Sequence, residues 1–200
     1  MMPTAQNIID YWFGNDDDDA QIAKRQAELW WSKNDDVDSE IKQRFEPLTL
    51  AAEAGELDDW LGEPQGRLAL ILLTDQFPRN MYRDTPDAFR FDPLARQLML
   101  DGLEQGADQA LRPIHRLFYY LPLEHSENLA HQQRCVALFR ELADAVSADQ
   151  KPTFTGFIDF AVRHHDIIER FGRFPHRNRI LGRQSTAEET EFLKQPNSSF

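Results

Sequence analysis

Apolar residues recur along this chain every three or four positions almost throughout, the spacing of one face of an α-helix. Thr4 predicts a cap for a first helix carrying Ile8, Ile9, Tyr11 and Trp12 and closed by Gly14. The acidic run Asp16 to Asp19 reads as a solvated loop or a helix start, and a helix through Ile22, Leu29 and Trp30 follows. Asp38 predicts the cap of the next helix, with Ile41, Phe45, Leu48 and Ala52 on one stripe and Gly55 at its end. Leu57, Trp60 and Leu61 mark a short turn of helix before Gly62. Pro64 opens a helix that is apolar almost all round from Leu68 to Leu73, which places it in the core. That helix is predicted to stop near Phe77, because Pro78 disfavours a helical residue before it. Residues 79–91 then read as a loop with a turn at Thr85-Pro86.

Asp92-Pro93 is a strong helix start, and Gly106 suits its end. Pro113 and Pro122 bracket an aromatic helix, and Ser126 predicts the cap of a long one carrying Leu129, Val136, Phe139 and Leu142. A further helix starts at Thr153, runs through Phe154, Phe157, Ile158, Ala161 and Ile168, and ends at Gly172. Ser185 and Thr186, with Glu188 and Glu189, form overlapping capping boxes for a last short helix. No segment alternates as a strand does, so the expected fold is all-α. No linker-like composition divides residues 1–200, which predicts a single helical domain, and no clean fixed-period repeat stands out.

Charge changes this picture in one place. The net charge is −12, and residues 1–63 hold sixteen Asp/Glu against five Lys/Arg. Residues 163–183 reverse the balance, with six Arg against two acids. An overall charge of this sign repels nucleic acid and anionic membrane surfaces at long range, so neither is expected as a partner. The single cysteine, Cys135, excludes an internal disulfide, sits among apolar helix positions, and reads as buried and inert. No long apolar run or signal-peptide pattern occurs, and a cytoplasmic location is expected.

The basic stretch is RFGRFPHRNRILGR, Arg170 to Arg183, and DQFPRNMYR, Asp75 to Arg83, repeats its central pattern. Each has Phe-Pro after an apolar helix and then Arg and Asn. Proline fixes the turn, phenylalanine anchors it, and arginine presents a fork able to grip carboxylate or phosphate. Arg79, Arg173, Arg177 and Arg183, with Asn80 and Asn178, are therefore candidate ligand-binding residues. The same residues also read as loop fasteners paired with nearby carboxylates, Arg79 with Asp75 or Asp84 and Arg177 with Asp166 or Glu169. In LPLEHSE, Leu121 to Glu127, a histidine stands beside two carboxylates, which suits a general acid or base and equally a capping arrangement. His125, His164, Glu127 and Asp75 are the candidate catalytic groups. Ligand spacing for a metal is missing, and so are phosphate-loop and dinucleotide fingerprints, so neither metal nor cofactor is expected.

Taken in order, TDQFPRNMYR with AFRFD (Thr74 to Asp92), LPLEHSE, and HHDIIERFGRFPHRNRILGR (His164 to Arg183) resemble the signatures of a bacterial family of uncharacterised proteins, domain of unknown function 924. The resemblance spans nearly the whole chain and is weakest before residue 64. It implies an all-α fold similar to tetratricopeptide arrays, with antiparallel helix pairs stacked around a concave face. It carries no reaction. At His165 the relatives often have arginine, which favours His164 as the functional histidine of the pair. The expected function is a pocket for a small anionic molecule, with His acid–base chemistry if the protein is an enzyme. The alternative is a non-enzymatic interaction module that takes a peptide carboxylate.

Overall fold

Polar caps set the helix starts in the computed structural model, which describes residues 3–199. Helix α1 (Ala5–Phe13) opens on a reciprocal capping box between Thr4 and Asn7. Asp18 caps α2 (Asp19–Trp31) by accepting from the amides of Ala20 and Gln21. Helix α3 (Asp35–Glu53) begins one turn earlier than Asp38 predicts, because the Asn34 side chain accepts from the amides of Asp36 and Val37. Asp38 is thereby left free to receive Asn80 and Arg83 from elsewhere in the chain.

Helix α4 (Pro64–Ile71) does not stop at Phe77-Pro78. It widens into a π turn over Leu72–Gln76 and continues as α5 (Phe77–Met81). The amide of Phe77 donates to the carbonyl of Leu72, five residues back. A proline in a regular helix loses one hydrogen bond and crowds the carbonyl four residues before it; the wide turn takes up that conflict and keeps the axis helical. The predicted loop at 79–91 is therefore helix as far as Met81, and only then turns, with a 3₁₀ piece at Pro86–Phe89.

The second half is a run of helices: α6 (Asp92–Glu104), α7 (Pro113–Glu124), α8 (Leu129–Ala145) and α9 (Lys151–Phe171), then a short α10 (Ala187–Phe192). Pro122 lies inside the last turns of α7 rather than after it. Asn128, not Ser126, caps α8; the Ser126 hydroxyl instead meets His131 Nδ1 at 2.8 Å. Gly172 ends α9 at φ +68°, a left-handed backbone that glycine adopts without strain. Of the two possible capping boxes before α10, Thr186–Glu189 forms, and Ser185 Oγ accepts from Asn178 instead. No strand occurs among the described residues.

The α4–π–α5 rod is the axis of packing. Leu68 to Leu73 are all buried, and the rod contacts α1, α3, α6 and α7. Around it lies an aromatic core in which Phe118 meets Trp12, Phe13 and Trp30, and Phe45 meets Phe77 at 4.9 Å. The Trp30 indole donates to the Trp12 carbonyl at 2.8 Å, tying α2 to α1. Successive helices α6, α7, α8 and α9 each pack on the next. This brings the π turn, the end of α7 and the middle of α9 to one place.

Candidate functional site

At that place is a cavity of about 750 Å³. Gln76, Arg79 and Asn80 enter it from the rod, Glu124 and His125 from the end of α7, His164 from α9, and His176 and Arg177 from the turn after α9. Trp30 and Trp31 close it from α2, and Asn197 and Ser199 from the C-terminal stretch.

Behind the lining lies Asp75, wholly buried in the π turn. Its Oδ1 is 2.8 Å from His125 Nδ1, and its Oδ2 accepts from Gln76 Nε2 at 2.6 Å. Burial alone would raise the Asp75 pKa, but His125, Arg79 and the two hydrogen bonds outweigh it and keep the carboxyl ionised. A carboxylate only accepts, so Nδ1 of His125 carries the proton and Nε2 is the basic nitrogen. Burial, reinforced by Arg79, pulls the His125 pKa below its ordinary value against the opposing pull of Asp75. Neutral His125 is thus held in one tautomer, as an orienting carboxylate holds a general base.

Glu124 is a residue the sequence reading passed over. It is 5% exposed, its Oε2 has no hydrogen-bond partner among the described residues, and it lines the cavity. Burial, then the nearby Asp75 charge, pushes its pKa up to about 8, so the carboxyl is protonated at neutral pH. Its Oε1 lies 3.6 Å from His164 Nδ1, which also faces the Phe160 carbonyl at 2.9 Å. Burial holds His164 neutral, well below its usual pKa. The available signal was the LPLEHSE motif, in which Glu124 and Glu127 flank His125. A residue before the histidine continues α7 into the interior, whereas one after it leaves on the turn toward α8.

The two Phe-Pro arginines meet. Arg79 grips Asp92 with both nitrogens, at 2.9 and 3.1 Å, and also donates to the Asp75 carbonyl. Burial opposes its charge, but Asp92 and Asp75 more than compensate and raise its pKa. Arg177 is 6% exposed and lies between the rings of Phe174 and Phe89, 4.4 and 4.6 Å from their centroids. It donates to the His125 carbonyl at 3.0 Å, its nearest paired carboxylate is Asp92 at 3.8 Å, and its Nε has no partner among the described residues. Burial, with Arg79 alongside, brings the guanidinium down to about 10. The pairs suggested by sequence, with Asp84, Asp166 and Glu169, are replaced by Asp92 for both arginines. Asp92 and Asp75 are the groups that keep two cations this close.

The other candidates are tied to partners of their own. Asn80 lines the cavity, but its amide donates to Asp38 at 2.8 Å. Arg173 forks onto Glu189, Asn178 is fully buried between Ser185, Glu189 and Arg183, and Arg183 forks onto Glu127. Glu127 also accepts from the Phe174 amide at 2.8 Å. Burial would raise the Glu127 pKa, yet Arg183 and that amide hold it below the usual range. None of Glu127, Arg173, Asn178 and Arg183 reaches the cavity lining; together they fasten residues 173–189 to the end of α7. Asp75, His125 and His164 do adjoin, but the carboxylate binds the imidazole directly. Among the described residues, the groups close enough to share a cation are His165, Asp166 and Glu169, on the outer part of α9. Cys135 is buried, with its thiol pKa raised by burial.

Other proteins match this chain in the same terms. The profile of a family described as a bacterial protein of unknown function, DUF924, matches residues 8–197. The solved structure of a protein of unknown function, ATU0120 from Agrobacterium tumefaciens, is similar at 38% identity with a TM-score of 0.79, over 95% of this chain and 96% of that one. No curated protein matches.

Proposed function

The chain belongs to this DUF924 family, and from the geometry of its cavity we propose that it binds a small anion, a carboxylate or a phosphate, between its two Phe-Pro segments. The observation that carries this is Arg177. A guanidinium 6% exposed, with one nitrogen unpartnered and no carboxylate within close hydrogen-bond range among the described residues, is an unfavourable element of a folded protein by itself. An incoming anion satisfies it. The lining supports the same sign: Lys33, Arg79, Arg83, Arg163 and Arg177 face the cavity against the carboxylate of Asp84 and the protonated Glu124. Arg79, fixed by Asp92, serves as the second positive group, and Asn80, Asn178, Arg173 and Arg183 hold the two segments that present the arginines.

If the bound molecule reacts, His125 is the general base, set by Asp75 through a 2.8 Å contact, and Glu124 is the proton donor, with His164 beside it. The test is thermal. Acetate, sulfate and phosphate should raise the melting temperature by mass action, and the rise should shrink in Arg177→Met. An equal rise in wild type and variant would sink the reading.

A second reading, a peptide-binding module on a tetratricopeptide-like array, draws on the successive packing of α6 to α9 and on Asn197 and Ser199, residues of the C-terminal stretch that line the cavity. Apolar peptides with a free C-terminus that bind, while amidated ones and small anions do not, would favour it over the first.

A further inference from the structure

The cavity has two chemically different ends, and the second one bears on what the anion carries behind it. Beyond Arg177, His125 and Glu124, the walls are Trp30, Leu117, Leu121, Phe139 and Phe157. Leu117, Leu121 and Phe139 are fully or nearly fully buried and belong to the main core, with Phe157 packed against it. At the mouth stand Trp31 and Phe160, 53% and 49% exposed, the two most exposed of the large apolar residues among those described. Single exposed apolar residues need no explanation. Two aromatics on different helices that line one cavity, continuous with its apolar wall, are a different matter: they extend the wall outward as a lip.

The charged end is built for a single negative charge. The forks of Arg79 and Arg83 are committed to Asp92 and Asp38, and Arg163 stands at the lip with its guanidinium 4.6 Å over the Phe160 ring, so at this end Arg177 is the guanidinium with a nitrogen unpartnered among the described residues. The Asp92 and Asp75 carboxylates lie just behind it and repel a second negative charge. The Oε2 of Glu124, 5% exposed and unpartnered among the described residues, offers a carboxyl-to-carboxylate hydrogen bond when it carries a proton. No glycine-rich loop supplies the row of backbone amides that usually cradles a phosphate dianion. The size suits a molecule larger than acetate, since ligand pockets run from roughly 300 to 1,000 Å³.

Resting on the anion-binding reading, we propose that the ligand is a monocarboxylic acid with an apolar tail, its carboxylate at Arg177 and Glu124 and its tail along Leu117, Leu121, Phe139 and Phe157 toward the Trp31–Phe160 lip. Each methylene taken out of water tightens binding about fourfold, from roughly 0.8 kcal/mol. Burying four or more of the six methylenes that separate octanoate from acetate therefore gives about 100-fold or more.

The experiment titrates the full chain with three probes, acetate, octanoate and 1-octanol. Tryptophan fluorescence follows binding, because Trp30 and Trp31 line the cavity, and calorimetry supplies the heat-capacity change. Octanoate should bind about 100-fold or more tightly than acetate, with a negative heat-capacity change, and more tightly than octanol. Arg177→Met should erase the advantage of octanoate over octanol. Phe160→Ala, at a position 49% exposed, should weaken octanoate and leave acetate unchanged. Equal, Arg177-dependent binding of acetate and octanoate would overturn the tail while leaving the anion site standing. Equal binding of octanol and octanoate would overturn the carboxylate head. Indifference of every probe to Arg177 would overturn the underlying reading as well.

Discussion

Phe77-Pro78-Arg79-Asn80 and Phe174-Pro175-His176-Arg177-Asn178 carry one pattern to two outcomes. The first is inside a continuous rod, and its arginine is saturated by a two-pronged grip on Asp92. The second is a 3₁₀ turn outside any long helix, tied down by Glu127, Arg183 and Glu189, and its arginine keeps a nitrogen without a partner among the described residues. Both asparagines do structural work, one on Asp38 and the other between Ser185 and Glu189. Motif likeness therefore does not imply role likeness: what decides is how many acceptors the surrounding fold brings to each guanidinium. A saturated arginine stabilises the scaffold, and an unsaturated one is available to a ligand.

The contrast breaks first at its shared foundation. Asp75 is wholly buried and serves His125, Arg79 and Gln76 together, so Asp75→Ala should cost roughly 3–5 kcal/mol in denaturant melts. Arg79→Met should follow at about 3 kcal/mol, because it removes the two-pronged partner of buried Asp92 and leaves it only Arg177 at 3.8 Å. A change under 1 kcal/mol there would mean Arg79 is no fastener.

Glu124 supplies a pH signature. Its folded pKa, about 8, lies above the ordinary value of 4.5, so between those limits the native state holds a proton that the unfolded chain has lost. Stability from this group is complete below about pH 4.5 and declines as pH rises toward 8. Wild type should therefore lose up to about 1.4 kcal/mol per pH unit relative to Glu124→Gln in that window. Taking the difference between the two proteins cancels the opposite trend from His125, His164 and His176, whose lowered pKa values weaken the fold as pH falls. A flat difference between pH 5 and 8 would place Glu124 in water. The smallest effect belongs to Arg177→Met, about 1 kcal/mol or less, since the variant keeps the stacking volume and relieves a buried charge. A loss of several kcal/mol would make both arginines architecture.

Much of this was legible in the chain itself. Helical periodicity, the Thr4 and Thr186 caps and the Gly172 stop are local, and the structure places them as read. Two starts moved because a nearby asparagine caps the helix with its own side chain, Asn34 before Asp38 and Asn128 after Ser126. The approach of Arg79 to Arg177 follows from the shared motif, but the carboxylate between them, Asp92, reads in sequence only as a helix start. Which of Glu124 and Glu127 faces inward depends on where α7 ends, and Pro122 inside the helix displaced that boundary. Apolar walls built from four helices leave no local signature.

The π turn at Leu72–Gln76 has a consequence for chain length. A residue in a regular helix advances the screw by about 100°. The π turn spends one residue more than an α turn to complete the same circle, since the Phe77 amide donates to Leu72, so the two halves of the rod stay in phase. Losing one residue from the regular helix on either side would rotate one half against the other by about that angle, swinging Phe77 off Phe45 and Arg79 off Asp92. Losing one from Leu72–Gln76 would instead close the turn to an ordinary one and leave the phase nearly unchanged. The wide turn therefore works as slack in the rod, a place where its length can change while the two sides of the cavity keep facing each other.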